Sequence, residues 1–183
     1  GVKNGTKMIL PNNLYIWATM NTSDQSLFPI DSAFKRRWDW KYVPISNAKL
    51  GWVVCVNGIR YDWWSFVEEI NKEIGDATHS EDKKLGYFFC RAKNDDNTIS
   101  ADKFVGKVLF YIYNDVFRDY GFDRNIFKDE NDKENPVLMF KDFFMPDGKP
   151  REEKIKVLMD NLHVKTEAEV ASVSVVNIDD PNT

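Results

Sequence analysis

Apolar positions along this chain fall in blocks of two different periods. Leu14-Tyr15-Ile16-Trp17-Ala18 is an uninterrupted apolar run that passes directly into the cluster Thr19-Met20-Asn21-Thr22-Ser23-Asp24. Such a run, bounded by turn residues, predicts a strand buried on both faces. In a parallel sheet ligands collect at the carboxyl ends of the strands, so Asn21 and Asp24 stand where a strand presents side chains to a ligand. A short helix then starts near Pro29, with Asp31 at its positive end and Lys35, Arg36 and Arg37 at its close. Trp38-Asp39-Trp40-Lys41-Tyr42-Val43 alternates and predicts a further strand, stopped by Pro44.

Farther on, Trp52-Val53-Val54-Cys55-Val56 and Ile59-Arg60-Tyr61 flank Asn57-Gly58, and both turn residues tolerate positive φ, which predicts a β-hairpin. Helical spacing replaces alternation after Asp62. Trp63, Phe66, Val67, Ile70 and Ile74 mark the buried face of a helix capped by Asp62 and stopped at Gly75. Leu85 to Cys90 is short, apolar and glycine-bearing. Ser100 caps a long helix reaching about Tyr120, with Gly121 as its stop, and Phe104, Val108, Tyr111, Ile112, Val116 and Phe117 form its stripe. The charged stretch from Asp123 to Asn135 predicts a mobile loop. The period of the apolar groups at 137–140 and 143–145 does not decide between helix and strand. Arg151 to Leu162 predicts a last amphipathic helix, and the residues from Val164 onward predict a partly disordered tail.

The 183 residues are 43% apolar and 14% aromatic, enough for a packed core. A net charge of −4 argues against binding polyanions through bulk electrostatics, although it leaves room for a local basic patch. Cys55 and Cys90 belong to no CxxC pair and are expected to be reduced and mostly buried. No apolar run approaches the ~18 residues of a membrane span, and no signal-peptide pattern stands at the start. A cytoplasmic protein, present as a fragment, is the resulting expectation.

Met20-Asn21-Thr22-Ser23-Asp24-Gln25 at a strand end, followed by Arg36-Arg37 on a nearby helix, resembles the second half of an AAA+ nucleotide-binding module. The likeness is to the McrB family, the GTP-hydrolysing subunits of methylation-dependent restriction systems. Gln25 departs from the pattern, since the family usually has arginine there. The resemblance implies an α/β remnant of a P-loop NTPase sheet with an inserted β-hairpin and a mainly helical lid. It divides the chain into 1–46 (end of the core), 47–163 (hairpin and lid) and 164–183 (flexible tail). Asn21 and Asp24 would hold the γ-phosphate or its attacking water, and Arg36 or Arg37 would reach a neighbouring subunit's nucleotide. Gly86 would lie near the nucleotide, with Lys83, Lys84 and Arg91 as neighbouring cations.

The implied cofactor is GTP or ATP with Mg2+ in the intact protein. The implied partners are further copies in a ring, a nuclease subunit, and DNA bound through other domains. Neither GxxxxGKS nor GxxxxGKT occurs, so hydrolysis is not expected of this chain by itself. Without neighbouring strands, segments 14–19 and 38–43 are expected to pair with each other or to drive self-association. The plainer readings are an Asx-type turn at Asn21 and Asp24, a solvated basic helix end at Arg36-Arg37, and a non-catalytic protein-interaction module for the whole.

Overall fold

A computed structural model describes residues 11–19, 31–93 and 95–176. The chain divides into two units, Gly1–Lys41 and Tyr42–Thr183. In the first unit, α1 (Ser32–Lys35) is a single turn whose N-terminus is closed by the Asp31 side chain, which accepts from the Ala33 amide. Arg36 is its C-cap. Trp40 folds back and donates its indole N–H to the Lys35 carbonyl at 3.0 Å.

The strand expected over 14–18 is absent, and so is the one over 38–43. Tyr15, Ile16 and Trp17 are 80%, 68% and 87% exposed rather than buried, and Tyr42 and Val43 are similarly open. A strand exists only where a second backbone accepts its hydrogen bonds, and no described residue pairs with either segment. The expected direct pairing of the two segments is therefore not formed.

In the second unit the Asn57-Gly58 turn is present, with φ of 49° and 74° as a type I′ turn requires. It joins β1 (Val53–Val56) to β2 (Ile59–Asp62) in antiparallel register, Val53 opposite Asp62 and Val56 opposite Ile59. The short β3 (Thr98–Ile99) lies parallel to β1 on its other side, giving the order β2-β1-β3. Asp62 ends β2 and caps α2 (Trp63–Thr78), its carboxylate accepting from the Ser65 amide at 2.7 Å.

The buried face of α2 is the one the spacing predicts, but its end is not. Helix α2 continues through Gly75 to Thr78, and His79, at φ 51°, closes it. Gly75 serves a packing role instead, because a Cβ there would stand 3.3 Å from the Lys84 side chain.

Ser100 caps α3 (Ala101–Lys103), which runs on through π-helical turns at Phe104–Leu109 and Ile112–Val116. Phe117 is the C-cap, so the helix ends short of the expected Tyr120, and a turn leads from it to Gly121 at φ 81°. Phe104, Val108, Leu109, Ile112, Val116 and Phe117 pack against α2 and the sheet in one core.

The segment expected to be a mobile loop is anchored. Ile126, Phe127 and Asp129 are buried, and the Leu138 amide donates to the Phe127 carbonyl at 2.7 Å. Residues 140–143 form one 3-10 turn. Helix α4 (Glu152–Asn161) buries Ile155, Leu158 and Met159.

The tail expected to be loose from Val164 is docked at its start. Val164 is buried, the Asp62 amide donates to the Lys165 carbonyl, and Thr166 bridges Tyr61 on the free edge of β2. Helix α5 (Glu167–Val176) follows, held by a 2.6 Å ion pair between Arg60 and Glu167.

Candidate functional site

Asn21 and Asp24 lie outside the described residues. Arg36 and Arg37 occupy the C-terminal end of α1, and both are exposed. Arg37 borders an open cleft of about 570 Å³ within the first unit, where Tyr15, Trp17, Phe34 and Trp38 supply the walls and Asp39 a carboxylate. One cation and one anion at the border of an aromatic hollow suit a flat group with a polar edge. The cleft is shallow because α1 is a single turn and the 14–17 segment lies on no sheet.

Gly86 shows none of the features that make glycine obligatory at a phosphate. Its φ is −83°, and a Cβ would meet nothing within 4 Å. It precedes the 3-10 turn Tyr87–Phe89, whose last amide bonds back to the Gly86 carbonyl.

The three cations near this turn have separate attachments. Lys84 pairs with Glu81 at 2.5 Å. Lys83 donates to the Asp115 carbonyl and lies 5.1 Å from the centre of the Tyr120 ring. Arg91 places its guanidinium 5.8 Å from the centre of the Phe88 ring.

Sequence reasoning passed over the residues around them. Lys107 lies 5.5 Å from the Phe89 ring centre, and Phe89 packs on Tyr111 at 4.9 Å. Lys103 donates to the Arg91 carbonyl at 2.6 Å. The available signal was the four-residue spacing of Lys103, Lys107 and Tyr111 beside a Phe88-Phe89 pair.

Beneath this face lies Cys90, fully buried, its thiol pushed up by desolvation while Lys103 and Lys107 pull it partly back. It is therefore a protonated packing group and not a nucleophile. Among the described residues no group of three or more His, Cys, Asp or Glu side chains could hold a metal ion. None of their helices is long and apolar enough to cross a membrane.

No family model matches the chain. No solved structure matches it either. The chain is similar to the type II restriction enzyme BsuMI component YdiS of Bacillus subtilis strain 168, at 36% identity over 126 residues. That alignment covers 63% of this chain and 36% of the relative, so the chain spans little more than a third of the relative's length. The likeness corrects the assignment to the McrB family, because the relative is a component of a type II restriction enzyme, a different restriction-system component.

Proposed function

We propose that this chain is part of a restriction-system component and contributes a docking and assembly unit to it. The observation that supports this is the 36% identity to the BsuMI component over 126 residues. The exposed apolar stretch around Tyr15, Ile16 and Trp17 agrees with an assembly role, since a surface of that kind is stable when another chain covers it. DNA cleavage would then belong to a partner nuclease. The test is phage plating on cells carrying the whole restriction system. Deleting residues 42–176 from the component raises plating of unmodified phage to the level of a restriction-null strain. Unchanged restriction in the deletion strain would overturn the proposal.

A finer reading has Arg36 and Arg37 act on a phosphorylated nucleotide, GTP or ATP with Mg2+, held by a neighbouring subunit. Their exposed position at the end of α1 favours it. A guanidinium delivered to a neighbour's phosphoryl group contributes on the order of 10³ to 10⁵ in rate. Nucleotide hydrolysis by the whole component then rises steeply with protein concentration and collapses in Arg36→Ala/Arg37→Ala. Hydrolysis proportional to concentration and indifferent to both substitutions counts against it.

A further inference from the structure

We infer that the face of the second unit formed by Phe88, Phe89, Arg91, Lys103 and Lys107 is a binding site for single-stranded nucleic acid. These five side chains come from two elements, the Tyr87–Phe89 turn with its following strand-like residues, and the long helix beginning at α3. They are joined by contacts given above: Arg91 over Phe88, Lys103 to the Arg91 carbonyl, Lys107 over Phe89.

Lys103 and Lys107 stand four residues apart on one continuous helix and so share a side of it.

Charge decides the ligand class. Arg91, Lys103 and Lys107 form no salt bridge among the described residues, whereas Arg60, Lys72, Lys84, Arg124 and Lys154 each do. Arg91 and Lys107 lie near aromatic rings and Lys103 donates to a backbone carbonyl, so no carboxylate among the described residues neutralises them and they remain available to an outside anion. Of the acidic neighbours, Asp82 and Asp115 act on Tyr111, which packs on Phe89.

The aromatic surface decides the rest. Phe88 is 55% exposed, and its ring is braced edge-on by Trp52 at 5.7 Å. A braced open ring beside a planar guanidinium is a stacking platform for a base, while the two lysines match successive phosphates. A duplex hides its bases, and a single mononucleotide leaves most of the cations unmatched. A single strand satisfies both features. The site stands on its own geometry and does not depend on the restriction-system reading.

The test is fluorescence anisotropy of the full chain with a labelled oligothymidylate of about 20 nucleotides, longer than the ~4–16 nucleotides typical of a single-strand-binding domain. Wild-type protein binds, and log affinity falls with log salt at a slope near −2, about 0.7 for each of three cations. Lys103→Gln/Lys107→Gln weakens binding at least about tenfold and removes roughly two-thirds of that slope. Phe88→Ala weakens binding about tenfold with the slope unchanged, because a stacking contact releases no counterions. Circular dichroism of each variant confirms the fold. Absence of binding at low salt would overturn the site, as would equal binding by all variants. Competition by thymidine monophosphate as effective as by the oligomer would also overturn it in favour of a mononucleotide site.

Discussion

Asn71 holds Leu85 by both ends of one amide. Its Oδ1 accepts from the Leu85 amide at 2.7 Å, and its Nδ2 donates to the Leu85 carbonyl at 2.8 Å. The pair fixes the loop that leads into the Tyr87–Phe89 turn, while the Leu85 side chain is fully buried. Asn71→Ala leaves two backbone groups without these partners and costs about 2–3 kcal/mol, at ~1 kcal/mol per bond plus desolvation. Urea denaturation measures the loss. Hydrogen exchange locates it, with amides 85–90 exchanging faster while those of α2 change little.

Lys154 stands between two carboxylates, 2.7 Å from Asp129 and 3.0 Å from Asp132. Asp129 is only 2% exposed, and Lys154 is the cation that compensates it. Lys154→Met strands a buried carboxylate and destabilises by about 3 kcal/mol, whereas Lys154→Met/Asp129→Leu recovers much of that loss. A double-mutant cycle on thermal midpoints checks both values.

Tyr61 gives a pH signature on the alkaline side. Burial, aided by the neighbouring Asp160 carboxylate, pushes its phenol from 10.0 up to about 12. The folded state thus keeps a proton that the unfolded state releases. Stability from this group is complete below pH 10 and declines as pH rises from 10 toward 12. Tyr61→Phe flattens the decline across that interval, read by denaturant midpoints at several alkaline pH values.

The open residues of the first unit set its behaviour in solution. Trp17 at 87% and Tyr15 at 80% exposure form an apolar surface that promotes association at high concentration. Tyr15→Ser/Trp17→Ser lowers the weight-average mass in sedimentation equilibrium and leaves the thermal transition of the second unit unmoved. Identical association in the variant removes this segment as the contact.

Local chemistry was readable in the sequence, and long-range relations were not. Asn57-Gly58 marked the hairpin because tolerance of positive φ is a local property of those two residue types, and Asp62 and Ser100 marked two helix starts for the same kind of reason. Gly75 misled, since glycine is expected at a helix end while here it admits the Lys84 stem from another element. The run at 14–18 declared that it needs burial but not what supplies it. The charged stretch 123–135 concealed Ile126 and Phe127, and no local period records the packing of Phe127 on Tyr113 and Phe117. At the site, Arg36 and Arg37 were visible as a pair, whereas Lys103 and Lys107 gain significance only once the Phe88-Phe89 turn is folded against them.

The attachment of residues 164–166 to β2 has a bearing on synthesis. Ser65 and Lys165, joined by a 2.9 Å bond, are separated by 100 residues. At roughly 5–20 residues per second, the edge of β2 therefore waits about 5–20 seconds for its cover during translation. The hairpin and α2 can form early, but this edge remains a bare template over that interval. Ribosome-bound chains stalled before residue 164 should be the ones that a chaperone holds and a protease cuts.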